Sequence, residues 1–109
     1  VDTIADNASS CGWILGEQRV AMSDIDVGDI DATLTRNGEV VAKGNSSAVL
    51  GNPLNSVSWL ANKVSSFGVR LRKGDVILPG TATRAFDIAS GDNFVAEFAG
   101  LGSVTLDFT

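Results

Sequence analysis

Asn37-Gly38 is the feature that most restricts the fold of this chain. It lies between Ile30, Ala32 and Leu34, which alternate with Asp31, Thr33 and Thr35, and the run Val40-Val41-Ala42. Alternation of period two places one set of side chains on each face of a strand. Asn and Gly both tolerate positive φ, as the two-residue turn that matches strand twist requires. The spacing predicts a hairpin of 29–35 and 39–44. Near the other end, Gly91-Asp92 leads into Phe94-Val95-Ala96-Glu97-Phe98. Gly100 and Gly102 then bracket a turn before Val104, Leu106 and Phe108 alternate on a return strand. The short apolar runs Trp13-Ile14-Leu15 and Val76-Ile77-Leu78, each stopped by Gly or Pro-Gly, read as two further strands.

One segment follows the helical period instead. Asn52-Pro53 pairs a favourable N-cap with proline at the first helical position. Leu54, Val57, Leu60, Ala61 and Val64 then recur at helical spacing up to Gly68. An amphipathic helix over 53–67 is expected, with Trp59 packed and Lys63 solvated. The segment from Asp2 to about Cys11 could form a short helix ending at Gly12. Six or seven strands and one long helix make a β-rich α+β fold, and the 109 residues fit a single domain.

Composition excludes several functions. The chain has no histidine and one cysteine, Cys11. It can therefore build neither a Ser-His-Asp triad, a Cys-His dyad, nor a His-ligated zinc site from its own residues. A thiol with no histidine to activate it is expected to be a small buried residue. The net charge of −5 argues against a nucleic acid or an anionic membrane as partner. No apolar run is long enough to span a bilayer, the first residues read as something other than a signal peptide, so none is expected, and the lone cysteine suits a reducing cytoplasm.

Polar groups concentrate in three places. Asp24, Asp26, Asp29 and Asp31 surround Gly28, but their spacing is not that of a calcium loop, so a solvated acidic loop is the expectation. Asp2, Asp6, Asn7, Ser9 and Ser10 crowd the first ten residues. There they could cap a short helix or, with Asp2, Asp6 and Ser9 on one face, line a site. Gly80-Thr81-Ala82-Thr83 follows the Pro79 break, where a loop on a rigid scaffold presents hydroxyl and N–H donors suited to a carboxylate. Arg84 next to it could pair with a carboxylate bidentately.

Taken together, DTIADNASS at 2–10, GNPLNSVSWLANK at 51–63, KGDVILPGT at 73–81 and GLGSV at 100–104 resemble, in this order and at these separations, one family. The chain is similar to the carboxyl-terminal part of 2-hydroxypenta-2,4-dienoate (2-keto-4-pentenoate) hydratases of the fumarylacetoacetate hydrolase superfamily. The resemblance spans essentially the whole chain. It implies a mixed-sheet β-roll with one long outer helix, and a cytoplasmic, homo-oligomeric bacterial enzyme of about 260 residues. That enzyme, a lyase of meta-cleavage pathways for aromatic or steroid rings, adds water to 2-hydroxypenta-2,4-dienoate to give 4-hydroxy-2-oxopentanoate. The resemblance also implies Mg²⁺ or Mn²⁺ chelated by the 2-oxo and carboxylate oxygens of the substrate. The family's metal-binding Glu-x-Glu pair, further Glu and active-site lysine match nothing here. The glutamates of this chain are Glu17, Glu39 and Glu97, so the ligands are expected upstream and the 109 residues alone are expected to be inactive. On the matching positions, Asp6, Asn7 and Ser9 are expected to contact substrate or position water, with Asp2 behind them. Thr81, Thr83 and Arg84 are expected to hold a small-molecule 2-oxo or 2-hydroxydienoic acid. 4-Oxalocrotonate decarboxylase, a diacid hydratase and a non-catalytic stand-alone domain are the alternatives.

Overall fold

The structure is a computed structural model that describes residues 11–109. The helix expected within 2–11, and Asp2, Asp6, Asn7 and Ser9 with it, lie outside the described residues.

Four strands form one sheet: β1 (Asp31–Arg36), β2 (Glu39–Asn45), β3 (Asn93–Phe98) and β4 (Gly102–Asp107). Their order is β2-β1-β3-β4, and every neighbouring pair is antiparallel. The predicted first hairpin forms, with Thr35 opposite Val40, Arg36 opposite Glu39, and both turn residues at positive φ (Asn37 51°, Gly38 84°). Val41 is an extra residue: the register steps from Leu34–Ala42 to Thr35–Val40, which is a bulge. Ile30 N–H donates to Ser46 Oγ and Ser46 N–H to Ile30 O, both at 2.8 Å, which extends this pairing past the strand ends. The second predicted hairpin also forms, its three-residue turn carrying Gly100 at φ 75°.

The pairing register sorts the side chains. Ala32, Leu34, Phe94, Ala96, Phe98, Val104 and Leu106 share one face with Ala42 and Gly44. Thr33, Thr35, Glu97, Ser103 and Thr105 share the other. The core is small. Ile30, Ala32 and Val49 are the buried apolar residues among those described, and all lie at the end of the sheet where β1 begins.

The helix α1 runs Pro53–Ser65, two residues shorter than expected. Asn52 Oδ1 caps it by accepting from Leu54 N–H at 2.9 Å. Val69 N–H donates to Val64 O and Gly68 N–H to Ser65 O, the paired bonds of a Schellman motif around Gly68 at φ 77°. Its half-buried stripe is Pro53, Ser56, Val57, Leu60, Ala61 and Val64. Leu54 falls outside that stripe, and Trp59, expected to pack, is 61% exposed. Trp59 lies two and five residues from Val57 and Val64, spacings that place it off the shared face. Lys63 is exposed as expected, with Nζ 5.8 Å from the Phe67 ring centroid.

Two expected strands do not form. Trp13-Ile14-Leu15 and Val76-Ile77-Leu78 belong to no ladder, and Trp13, Ile14, Leu15, Val76 and Leu78 are exposed. A short apolar run is a strand only where a partner completes its hydrogen bonds, and no described segment does so for these. Cys11, expected to be buried, is exposed.

The far end of the sheet is tied by one carboxylate. Asp92, 7% exposed, accepts from Asn37 Nδ2, Arg36 Nη2 and Ala89 N–H, each at 2.9 Å. Asn37 also accepts from Asn93 N–H through its side-chain oxygen at 2.8 Å. The Asn37 hydrogen bond, then that from Ala89, then Arg36 hold the Asp92 carboxyl below its ordinary value of 3.8, against the opposing effect of burial. A carboxyl with a lowered pKa in the folded state stabilises the fold above the unfolded value, and that stability is lost as pH falls through the lowered one. Asp92→Asn is therefore expected to cost stability at neutral pH and to shrink the loss on acidification below about pH 4. Denaturant midpoints of both forms across pH 7 to 3 would test this, with parallel curves as the contrary result.

Candidate functional site

The expected carboxylate-binding loop lies over the apolar face. Gly80, Thr81, Ala82 and Thr83 close a cleft of about 150 Å³ whose other walls are Ala32, Thr33, Leu34, Ala96 and Phe98. The floor is central sheet, from paired positions of β1 and β3. Thr81 and Thr83 are the polar residues that the loop adds to its wall. An apolar floor with a few polar groups at one edge is the usual make-up of a small-ligand site.

Three contacts set the path of this loop. Ser56 Oγ, on the half-buried side of α1, donates to Pro79 O at 2.7 Å. Gly80, at φ 142°, turns the chain where a Cβ would lie 3.0 Å from Val49 Cγ1. Beyond it, the Ala82 carbonyl rests on Gly44 of β2, in the space a side chain there would fill. The loop is thus held by the helix, the core and the sheet in turn.

Within the loop, Thr81 Oγ1 donates to Thr83 O at 2.8 Å and accepts from Thr83 N–H at 3.3 Å, a tight side-chain turn. Thr83 Oγ1 donates to Arg84 O at 3.2 Å. Both threonines lie in the cleft wall. Arg84 does not line the cleft: it is exposed, and its guanidinium sits 4.4 Å from the Phe86 ring centroid. Of the six residues expected to contact water or substrate, the structure brings Thr81 and Thr83 together and places Arg84 outside, while Asp6, Asn7 and Ser9 are outside the described residues. Sequence reasoning did not assign the floor, Ala32, Leu34, Ala96 and Phe98, to the site. The alternation marked Ala32 and Leu34 as one face of their strand but could not say what lies beside or over it.

The acidic loop has local partners. Asp26 Oδ1 accepts from Gly28 N–H at 3.0 Å, and Asn45 Nδ2 donates to Asp29 at 2.8 Å and Asp31 at 2.9 Å. Among the described residues, no three His, Cys, Asp or Glu side chains assemble into a group able to hold a metal ion. The described residues therefore do not fit a metal centre.

The sequence profile of the fumarylacetoacetate (FAA) hydrolase C-terminal family matches residues 3–109. The chain belongs to this family. It is 42% identical over 108 residues to a 2-keto-4-pentenoate hydratase of Paraburkholderia phymatum, covering 99% of this chain and 41% of that protein. It is 38% identical over 107 residues to a 2-oxo-hept-4-ene-1,7-dioate hydratase of Escherichia coli, covering 98% of this chain and 40% of that one. A solved structure of 4-oxalocrotonate decarboxylase from Pseudomonas putida G7, complexed with calcium and acetate, superposes with a TM-score of 0.92 at 39% identity. It covers 98% of this chain and 41% of that one. The same enzyme has been solved with magnesium and adipate. The chain spans about two fifths of the length of the relatives it matches. The expected β-rich α+β fold of this family is thus the one observed, and its relatives' structures contain divalent metals.

Proposed function

We propose that these 109 residues are the carboxyl-terminal part of a hydratase that adds water to 2-hydroxypenta-2,4-dienoate, or a close relative, to give 4-hydroxy-2-oxopentanoate. The observation that carries this reading is the cleft between the Gly80–Thr83 loop and the apolar face of β1 and β3. The identity to a hydratase over nearly the whole chain supports it. A small dienoic acid has an anionic end and a planar hydrocarbon end. The hydroxyls of Thr81 and Thr83 suit the first, while Ala32, Leu34, Ala96 and Phe98 suit the second. For Thr81 to donate to a bound carboxylate, its hydroxyl must turn from Thr83 O toward the cleft. A charged acceptor favours that exchange over a neutral carbonyl. Excluding water from the hydrocarbon end leaves the anionic end as the part that orients the substrate.

Asp6, Asn7 and Ser9 remain the proposed contacts on the reacting end, with Asp2 behind them, and Arg84 an outer contact for a longer acid. The proposed metal is Mg²⁺ or Mn²⁺, held by residues outside those described. A homo-oligomer in the cytoplasm, serving degradation of aromatic rings, completes the reading. Exposed Trp59 and Phe67 suit burial against further protein. The described helix is too short and polar to cross a membrane.

A second reading, 4-oxalocrotonate decarboxylase, is favoured by the TM-score of 0.92 to that enzyme. One experiment separates them. The complete protein is incubated with Mg²⁺ and either the mono- or the dicarboxylate dienol, following dienol absorbance, CO₂ and the hydroxy-oxo acid. Water addition to the monocarboxylate is the expected result. CO₂ release would give the decarboxylase, preference for the dicarboxylate a diacid hydratase, and no turnover a non-catalytic domain.

A further inference from the structure

We infer that Ser56 of α1 is a positioning residue for the Thr81–Thr83 loop, fixing through the Pro79 carbonyl the height at which the two hydroxyls stand over the sheet. This inference rests on the proposed role of that loop in holding a carboxylate. Ser56 lies in the first turns of a helix whose start is itself anchored. Asn52 caps it, and Asn55 Nδ2 donates to Leu50 O at 2.9 Å. The donor is therefore held by rigid elements, and the 2.7 Å bond to Pro79 O is made 23 residues away in sequence, across the fold. Proline gives the chain a fixed φ and no N–H of its own, so the Pro79 carbonyl is the one backbone hydrogen-bonding group that residue offers. The next residue, Gly80, turns the backbone at φ 142°, and Thr81 follows directly. A small rotation about Gly80 would swing Thr81 toward or away from the Leu34–Ala96 floor. Ser56 restrains that rotation on the entry side. The Ala82 carbonyl resting on Gly44 limits it on the exit side. A serine on a helix stripe otherwise made of Pro53, Val57, Leu60, Ala61 and Val64 contributes no apolar burial there, and the hydrogen bond to the loop accounts for its presence.

The test uses the complete protein with Ser56→Ala and Ser56→Thr. Amide hydrogen exchange at Gly80–Thr83 and steady-state kinetics on the dienol are read side by side, with exchange in α1 as the control. Loss of one hydrogen bond predicts exchange about fivefold faster in the loop but not in α1 for Ser56→Ala. It also predicts KM raised by about the same factor with kcat within about twofold, because a mispositioned carboxylate clamp weakens binding without entering the chemical step. Threonine keeps the hydroxyl and is expected to restore both. Unchanged loop exchange overturns the inference. So does an equal rise throughout α1, or a loosened loop with KM unmoved. If the unsubstituted protein turns over no dienol, the proposed function fails. The exchange measurement then still decides whether Ser56 places the loop.

Discussion

Gly44→Ala is expected to be the most damaging single-methyl addition among the described glycines. Gly44 does not occupy the left-handed region, so alanine brings no backbone strain there. The obstacle is steric: the new Cβ would meet the Ala82 carbonyl and lie 2.8 Å from its carbon. A flexible side chain would swing aside, but a carbonyl takes the whole loop with it. Overpacking of this kind costs about 1–3 kcal/mol. Here the cost falls on the cleft as well, since the loop must rise off β2 and lift Thr81 and Thr83 with it. Denaturant unfolding of the complete protein, with Gly12→Ala alongside, checks the prediction. Among the described residues, an added methyl at Gly12 would meet nothing within 4 Å, and the residue has no positive φ, so this variant is expected to stay within about 0.5 kcal/mol of the parent. Equal stability of the two variants would mean that Ala82 does not lie on β2.

Thr81→Val is expected to have the largest effect on substrate binding. Valine keeps the shape and β-branching and removes only the hydroxyl. A hydrogen bond to a charged partner contributes about 1.5–3 kcal/mol, so KM is expected to rise roughly ten- to hundredfold. The same substitution also removes the Thr81 bonds to Thr83 O and N–H, so loop exchange must be measured beside it. Thr81→Ser, which keeps the donor, should bind nearly as the parent does. Thr83→Val should cost less, because its longer 3.2 Å bond to Arg84 O shows a hydroxyl less firmly aimed. Parent-like KM in Thr81→Val would remove Thr81 from the proposed site.

The local parts of this architecture were legible in the residues. Asn37-Gly38 announces its hairpin because two consecutive positive φ values exclude most other pairs, and the structure has both. Asn52-Pro53 and Gly68 bound the helix because capping is a short-range matter of donors and acceptors. Pro79-Gly80 marked the loop. The non-local parts were hidden. Alternation says that Leu34 and Ala96 each face one side, but not that β1 and β3 adjoin. It likewise could not show that Trp13–Leu15 and Val76–Leu78 lack a ladder partner here, since a strand is a property of two segments. Gly44 fell within the expected hairpin and Ser56 within the expected helix, and spacing singled out neither. Their bearing on the loop exists only once β2, α1 and residues 79–83 are brought together. The Pro79 break had already pointed to Thr81, and the family resemblance added a second, independent reason to look there.

The order β2-β1-β3-β4 also has a consequence for how the cleft comes into being. Each hairpin closes locally, on a scale of about 1–10 μs. The β1–β3 seam must instead bring Arg36 to Phe94 around a long stretch of chain that carries the whole helix and the Thr81 loop. That closure carries the larger entropic cost. The binding cleft straddles the same seam, with Ala32 and Leu34 on one side and Ala96 and Phe98 on the other. A molecule seated there would act as a rivet across that long-range joint. It would slow the escape of the folded chain while leaving the rate of its arrival almost untouched.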